Sequence, residues 1–201
     1  MKARKSSIRR GGEHEGWQRF GILILTTWAS LLIAWSASAQ ASPSSEYAVK
    51  AAFLFHFAEF VEWPPGAFKD GNSPLTYCTV GEDQFRGALD ENLRGKTIGE
   101  RAIRVQHLKQ LDAIHGCQIL FIGATENKRA SSILANVKGS AVLTVGEAHN
   151  FAEDGGMIEF LLEGNKIRFE INLGAVNAAK LKMSARLLTL AKTVIGTVGG
   201  N

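Results

Sequence analysis

The sequence is poor in the residues on which many small scaffolds and active sites depend. Its 201 residues include only two Cys and four Pro, which is too little cysteine for a disulfide-built miniprotein. The glycine motifs that bind phosphate are missing, and so is the Gly-x-Ser-x-Gly nucleophile turn. With 45% hydrophobic and 21% charged residues, the chain is also too apolar for intrinsic disorder. The composition predicts a globular domain that lacks the loops of nucleotide-binding enzymes and serine hydrolases.

Much of the positive charge lies at the amino terminus. Residues 1–19 hold six Lys and Arg against two Glu, an apolar run follows over residues 20–35, and Ala37-Ser38-Ala39 ends the segment. These are the three parts of a cleavable export signal, so we predict a signal peptide over residues 1–39 and a periplasmic protein. A retained membrane anchor is the alternative, although a span needs about 20 apolar residues.

Removal of residues 1–39 changes what the charge implies. The whole chain has 23 basic and 19 acidic residues, a net charge of +4, but the part after Ala39 has 17 of each sign. A neutral chain lacks the clustered basic surface that neutralises phosphates, so we expect no nucleic-acid partner. Apolar surface remains as the main means of binding, which favours a protein partner.

Residues that carry metal or redox chemistry are few. Both cysteines, Cys78 and Cys117, lie in the exported part, where an oxidising compartment favours a disulfide worth about 4 kcal/mol of stability. Two buried free thiols are the alternative, and the lack of Cys-x-x-Cys argues against redox catalysis. None of the exported histidines has a second His at metal-ligand spacing, so we predict no metal site. These histidines are His56, His107, His115 and His149.

Short apolar runs alternate with helical segments from residue 75 onward. The predicted strands are 75–80, 101–107, 117–122 and 141–145, and the predicted helices between them are 84–93 and 126–137. Strands without a polar face that alternate with helices imply a mostly parallel sheet covered on both faces. We therefore predict a Rossmann-like three-layer α/β domain.

Residues 157–173 predict an antiparallel β-hairpin, with Gly164-Asn165 as its two-residue turn. Counting outward from the turn gives one buried face, on which the pairs are Leu162 with Ile167, Phe160 with Phe169 and Ile158 with Ile171. On the other face Glu159 lies opposite Glu170. An acid/base pair would need a pocket and a third group as well, so we predict no catalytic residue.

Two further helices carry more apolar surface than one packing partner needs. The first is predicted over residues 48–63, between a Ser/Pro-containing tether at 40–46 and Pro64-Pro65. The last is a long C-terminal helix predicted over residues 175–194, before a flexible tail at 196–201. Burial in the core explains both faces most simply. The alternative is an interfacial membrane helix for the first and a contact surface for another protein for the last.

Several ordered motifs resemble the YfiR family of periplasmic proteins. Two belong to the first helix and the segment after it, Tyr47-Ala-Val-Lys-Ala-Ala-Phe-Leu-Phe and Phe60-Val-Glu-Trp-Pro. The later motifs are Cys78-Thr-Val-Gly, Cys117-Gln-Ile-Leu-Phe-Ile, Val142-Leu-Thr-Val-Gly and Arg168-Phe-Glu-Ile-Asn-Leu. Taken together, they indicate a single YfiR-like domain over residues 47–195.

The resemblance implies a non-catalytic regulator without a cofactor. Proteins of this family bind the periplasmic sensor domain of an inner-membrane diguanylate cyclase, which lowers cyclic di-GMP and biofilm formation, and an outer-membrane lipoprotein can sequester them. The resemblance also implies a Rossmann-like fold, a possible homodimer and a disulfide that Cys78 and Cys117 would match. Some relatives have a second cysteine pair, which this chain lacks.

The partner is expected to cover the apolar excess of the first and last predicted helices. We select as candidate partner-binding residues the side chains Phe53, Phe57, Leu187, Leu190 and Val194. Two other functions stay open: a small-ligand sensor that acts on another membrane signalling protein, with a pocket beside Gly123 or Gly146, and a periplasmic hydrolase that uses Glu159 or Glu170.

Overall fold

The structure is a computed structural model that describes residues 43–109 and 111–196. The chain divides into two units, Met1–Gln40 and Ala41–Asn201, and the described residues all belong to the second. The predicted signal peptide at residues 1–39 lies outside the described residues, as do residues 197–201 of the predicted tail.

The described residues form ten strands, eight of which make up one sheet. In chain order the strands are β1 (Val61–Glu62), β2 (Leu75–Val80), β3 (Thr97–Ile98), β4 (Arg101–Leu108), β5 (Ile119–Ile122), β6 (Leu143–Gly146), β7 (Ile158–Glu163), β8 (Lys166–Asn172), β9 (Lys182–Met183) and β10 (Thr193–Ile195). The sheet order is β10-β8-β7-β6-β5-β2-β4-β3, and β1 pairs with β9 separately. All sheet pairings are parallel except β3 with β4 and β7 with β8. The predicted mostly parallel sheet is confirmed.

Helices cover both faces of this sheet. They are α1 (Pro43–Glu59), α2 (Ala88–Leu93), α3 (Ala130–Val137), α4 (Leu173–Ala178) and α5 (Ala185–Leu190), with 3₁₀ segments at Leu111–Gly116 and Ala124–Arg129. Tyr77 and Cys78 are neighbours in β2, so they point to opposite faces. The Tyr77 side packs in a core with α1, α2, α4 and α5, and the Cys78 side packs in a core with α3. The predicted Rossmann-like three-layer fold is confirmed.

The hairpin has the predicted register throughout. Ile158 lies opposite Ile171, Phe160 opposite Phe169 and Leu162 opposite Ile167. Gly164 begins the turn with a φ of 59°, a conformation that glycine adopts without steric cost. Alternation along the strands was enough to predict the register, because one face is buried against α1 and a slip by one residue would expose it.

The first helix begins and ends earlier than predicted. It starts at Pro43, so residues 43–46 of the predicted tether form its first turn, and it ends at Glu59. Beyond it, Val61 and Glu62 pair with Met183 and Lys182, and the backbone N–H of Ser184 donates to the carbonyl of Phe60. Pairing with a distant segment therefore ends the helix before the proline pair does.

The prediction of one long helix over residues 175–194 is wrong. The elements α4, β9, α5 and β10 replace it. The first break follows α4, where Lys180 has a φ of 58° and the N–H of Leu181 donates to the carbonyl of Val176. The N–H of Lys180 also donates to the carbonyl of Asn177. These paired bonds form the Schellman motif, which terminates helices.

The second break follows α5 and creates an edge strand. Ser184 caps the start of α5 by accepting the N–H of Leu187, and the backbone is extended from Ala191 onward. The N–H of Lys192 then donates to the carbonyl of Phe169, and β10 pairs with β8. Thr193, Val194 and Ile195 are β-branched, which favours a strand over a helix at this edge.

The predicted disulfide joins Cys78 of β2 to Cys117, two residues before β5. Each cysteine is 1% exposed, and no free cysteine remains among the described residues. The bond links two neighbouring strands in the core that α3 covers. The expectation of a Cys78–Cys117 pair is confirmed, and the alternative of two free thiols is wrong.

Candidate partner-docking surface

Doubly wound sheets usually bind small molecules in the crevice at the carboxyl ends of their strands. In this sheet the crevice lies between β2 and β5. The chain continues from β2 to β4 on one side of β2 and then returns to form β5 on the other side. A Cβ added at Gly123 would lie 2.5 Å from Gln84 Oε1, and one added at Gly146 would lie 2.5 Å from the ring of Phe151. The space beside these glycines, where a small-ligand pocket was predicted, is taken by the protein's own side chains.

A buried ion-pair network lies at the same end of the sheet. Lys50 of α1 pairs with Glu46 and with Glu147, and only 5% and 7% of the Lys50 and Glu147 side chains are exposed. Glu147 also accepts the hydroxyl of Tyr47 at 2.9 Å and the backbone N–H of Ala124 at 3.0 Å. Burial, followed by the charge of Glu147, raises the pKa of Tyr47. The Glu147 carboxylate therefore accepts all of these donors, and its contacts with Tyr47 and Lys50 anchor α1 to this end of the sheet.

The facing carboxylates of the hairpin have separate partners. Glu159 is 4% exposed and accepts the N–H of Ala152 at 3.0 Å. Glu170 accepts the hydroxyl of Thr193 at 3.0 Å and lies 3.8 Å from Lys192. Two carboxylates that hold their own donors do not share a proton, so this geometry does not arrange them as an acid/base pair.

Three hydrogen-bonded polar side chains form a series that no motif in the sequence predicts. His107 of β4 bonds through Nδ1 to Thr79 Oγ1 at 2.8 Å and through Nε2 to Asp90 Oδ2 of α2 at 3.1 Å. Carboxylate, imidazole and hydroxyl follow one another in the order of a nucleophilic triad. Thr79 is only 4% exposed, however, so a substrate cannot reach its hydroxyl. The hydrogen bonds from Thr79 through His107 to Asp90 instead hold α2 on the sheet.

Metal ligands do not gather in the described part of the chain. No group of three His, Cys, Asp or Glu side chains is placed to hold an ion there. His56 has a single carboxylate partner, with its Nδ1 at 2.6 Å from Glu59 Oε2 on the surface of α1.

Four of the five predicted partner-binding residues line one cleft of about 510 Å³ between α1, β8 and α5, namely Phe53, Phe57, Leu187 and Leu190. Their exposure differs sharply, because Phe57 and Leu187 are 1% and 2% exposed and belong to the core, whereas Leu190 is 60% exposed. The fifth, Val194, lies half-buried in β10 and does not line this cleft. Within this cleft, Leu190 and the half-buried Phe53 are therefore the predicted residues that a partner can reach.

A second cleft shares Phe53 with the first. It has a volume of about 420 Å³ and includes Val49 of α1 together with Leu162 and Ile167 of the hairpin. Val49 is 45% exposed and Leu162 is 57% exposed. The hairpin side of this cleft was not expected from the sequence, because alternation along the hairpin places Leu162 on the buried face. We call the two clefts together the Phe53 surface.

Three cationic side chains border the Phe53 surface, and none of them has a carboxylate partner among the described residues. Lys166 and Arg168 line the cleft at Leu162, and Arg186 lines the cleft at Leu190, with its guanidinium 5.6 Å from the ring centre of Phe60. Two carboxylates also line the clefts: Glu46 is paired with Lys50, and Glu59 is hydrogen-bonded to His56. Three cations against two carboxylates leave a net positive charge around this apolar surface.

Another cleft, of about 530 Å³, lies near the amino ends of β2 and β4. Its walls include Trp63, Phe68 and Arg101. The Arg101 guanidinium lies 3.8 Å from the Phe68 ring centre and donates to the carbonyls of Asp70 and Ser73 at 3.1 and 2.7 Å. Aromatic walls with one fixed cation are suited to a small ligand.

The sequence matches the family model described as YfiR/HmsC-like over residues 47–192. The chain belongs to the YfiR/HmsC-like family. Proteins of this family are periplasmic regulators rather than enzymes. The match begins at Tyr47 and includes the residues that line the two clefts of the Phe53 surface, except Ser45 and Glu46.

A solved structure has a slight likeness to this YfiR/HmsC-like protein. It is the ABC domain in complex with L-Trp from Streptococcus pneumonia, with 9% sequence identity and a TM-score of 0.43. The likeness covers 60% of this chain and 55% of that chain, and at this level we base no conclusion on it. Within residues 43–109 and 111–196, none of the helices has the length and apolar character needed to cross a bilayer.

Proposed function

We propose that this YfiR/HmsC-like protein binds the periplasmic sensor domain of an inner-membrane diguanylate cyclase and holds the cyclase inactive. Cyclic di-GMP and biofilm formation are then kept low. One observation supports a protein partner above all: the large apolar side chains that are exposed in the described residues, Val49, Leu162 and Leu190, all line the Phe53 surface. Exposed apolar groups that gather on one surface are typical of protein contacts.

An inhibitor of this kind needs no reaction at its surface. It acts by binding the inactive conformation of the cyclase more tightly than the active one, and a tenfold preference corresponds to about 1.4 kcal/mol. A rigid surface loses little entropy on binding. Phe53 is held by Phe160 and Phe169, whose ring centres lie 6.1 and 5.7 Å from its own, so the middle of the Phe53 surface is fixed before a partner arrives.

Deletion of the gene tests the proposal. We expect cellular cyclic di-GMP and surface attachment to rise in the deletion strain and to return to their original levels when the gene is restored on a plasmid. A deletion that changes neither quantity contradicts the proposed function. Loss of the whole effect when a diguanylate cyclase gene is also deleted would identify that cyclase as the target.

Release of the cyclase follows from competition for the Phe53 surface. An outer-membrane lipoprotein that covers this surface would sequester the regulator, and a second copy of the chain bound there would block it in the same way. In either case the competitor and the cyclase cannot bind the regulator at the same time. Addition of the lipoprotein should therefore displace the regulator from the cyclase sensor domain rather than form a complex of three proteins.

A second candidate function is a small-ligand sensor that acts on another membrane signalling protein. The cleft that contains Trp63, Phe68 and Arg101 favours it, because it joins aromatic walls to a cation held by two backbone carbonyls. A rise in melting temperature with a metabolite, lost in Arg101→Ala, would support this function. The deletion experiment distinguishes the two, since a sensor for another pathway leaves cyclic di-GMP unchanged.

A further inference from the structure

We infer that the Phe53 surface receives an acidic amphipathic helix of the partner protein. The inference rests on the proposed function, because it specifies the partner segment that would cover this surface. It follows from three properties of the described residues: the spacing of the two clefts along α1, the small side chains on the outer side of that helix and the sign of the charges around the clefts.

The two clefts are spaced for a helix. One includes Glu46, Val49 and Phe53 of α1, and the other includes Phe53, His56 and Phe57 together with residues beyond them. The α1 residues that line the two clefts are centred about eight positions apart, which is about 12 Å at 1.5 Å per residue. Side chains at i and i+7 or i+8 of a partner helix are separated by about 10.5–12 Å along its axis, so one helix can place an apolar side chain in each cleft.

Small side chains on α1 allow a helix to approach closely. Ala48 is exposed and Ala52 is half-buried, and they follow one another by one turn on the outer side of α1. The charged residue of this stretch, Lys50, is 4% exposed and turned into the Glu147 network. Packed helices approach to 8–10 Å between axes, with the shorter distances where contact side chains are small. The outer side of α1 thus suits a partner helix that lays one apolar side chain in each cleft.

The charges around the surface call for acidic groups on that helix. Lys166, Arg168 and Arg186 are exposed and have no carboxylate partner among the described residues. They outnumber the two carboxylates that line the clefts, Glu46 and Glu59, of which Glu46 is paired with Lys50. Acidic residues beside the apolar pair would meet these three cations. Such complementarity raises the association rate and weakens with added salt.

Binding of designed peptides to the purified protein tests the inference. The main probe is a fluorescein-labelled helical peptide with two Leu seven positions apart and Glu at the flanking positions. One comparison peptide has Lys in place of each Glu, and another has the two Leu four positions apart. We expect the Glu peptide to bind at least about tenfold more tightly than either comparison peptide at low salt, with a smaller advantage over the Lys peptide at high salt.

Variants of the protein locate the binding. Leu190→Ser and Val49→Ser should each weaken binding of the Glu peptide, because each removes one apolar anchor. The triple change Lys166→Glu, Arg168→Glu, Arg186→Glu should reverse the preference between the Glu and Lys peptides. A matched control of equal charge, Lys69→Glu, Lys109→Glu, Lys128→Glu, alters exposed lysines that line neither cleft and should leave the preference unchanged.

Three results overturn the inference. The first is equal binding of the Glu and Lys peptides, or no binding of any peptide. The second is an equal loss of binding in the triple variant and in its control. The third is a stable dimer in sedimentation that Leu190→Ser dissociates, since a second copy would then be the occupant. None of them bears on whether deletion of the gene raises cyclic di-GMP, so the proposed function stands or fails separately.

Discussion

Lys50 and Glu147 form a buried ion pair although 97 residues separate them in the chain. Lys50 lies in α1, next to Val49 and three residues before Phe53, and Glu147 directly follows β6. The pair therefore fixes the helix that carries the docking surface to the carboxyl end of the sheet. The pair lies at the end of the sheet where other α/β domains bind a ligand.

Loss of one member of this pair should be costly. Lys50→Met is expected to lower the free energy of unfolding by about 3–5 kcal/mol, because the buried Glu147 carboxylate loses its cation. The double variant Lys50→Met, Glu147→Gln should recover part of the loss, since no buried charge is left alone. Urea titration followed by circular dichroism measures both.

An exposed ion pair supplies the control. Arg129 Nη1 lies 3.0 Å from Glu126 Oε2, and 56% of the Arg129 side chain is exposed. Arg129→Met should change the free energy of unfolding by less than about 1 kcal/mol. Equal small losses in Lys50→Met and Arg129→Met would contradict the buried network.

The two tyrosines offer a matched pair of hydroxyl deletions. The Tyr47 hydroxyl donates to the Glu147 carboxylate, whereas the buried Tyr77 hydroxyl has no hydrogen-bond partner among the described residues. Tyr47→Phe should cost about 1.5–3 kcal/mol, and Tyr77→Phe should be neutral or stabilising, because it removes an unsatisfied polar group. Denaturant titration of the two variants checks this, and a larger loss in Tyr77→Phe would contradict it.

The same tyrosines predict a loss of stability at alkaline pH. Burial raises the pKa of both Tyr47 and Tyr77, with the nearby carboxylates Glu147 and Glu59 adding to the effect. The folded state therefore holds these protons more tightly than the unfolded state, in which tyrosine titrates near pH 10. This contribution is complete below about pH 9 and is lost as the pH rises beyond about 10.

Denaturant titrations at increasing pH measure this dependence, and absorbance at 295 nm follows the tyrosines directly. We expect the unfolding free energy to fall more steeply in the wild type than in Tyr47→Phe or Tyr77→Phe. In the folded protein neither tyrosine should ionise near pH 10. Two ordinary tyrosine titrations in the native state would show that these hydroxyls are accessible to solvent.

The break after α4 predicts the sign of a single substitution. Lys180 adopts a φ of 58°, which a residue with a Cβ does at a cost of about 1–2 kcal/mol. Lys180→Gly should therefore stabilise the protein by up to about 1 kcal/mol. A continuous helix over residues 175–194 would give the opposite sign, a loss of about 1 kcal/mol. The shift in urea midpoint decides between them.

The fold was predictable where burial imposes a regular pattern. The strands that became β2, β4, β5 and β6 were placed to within two residues, and the hairpin register followed from alternation around Gly164. The C-terminal segment was not predictable in this way. Its apolar residues recur at helical spacing, but pairing of Lys192 and β10 with β8 depends on contacts more than twenty residues away.

The site was predictable only in part for a related reason. Apolar spacing identified Phe53 and Leu190, which do line an exposed cleft, but also Phe57 and Leu187, which the core buries. Periodicity shows that a side chain is apolar and on one face, not whether another element of the same chain covers that face. The Lys50–Glu147 pair and the Thr79–His107–Asp90 chain join distant segments and leave no local motif.

The central claim is that Leu190 and its neighbours bind a partner that controls cyclic di-GMP. Leu190→Glu places a charge on the Phe53 surface, and the adjacent Thr189→Glu places the same charge on an exposed residue that lines neither cleft. Leu187→Glu is unsuitable, because Leu187 is 2% exposed and its replacement would unfold the domain.

The most direct measurement is cellular cyclic di-GMP in the deletion strain that carries the wild type, Thr189→Glu or Leu190→Glu at equal amounts of folded protein. We predict that the wild type and Thr189→Glu restore the low level and that Leu190→Glu leaves cyclic di-GMP as high as in the deletion strain. Full restoration by Leu190→Glu would contradict the docking surface.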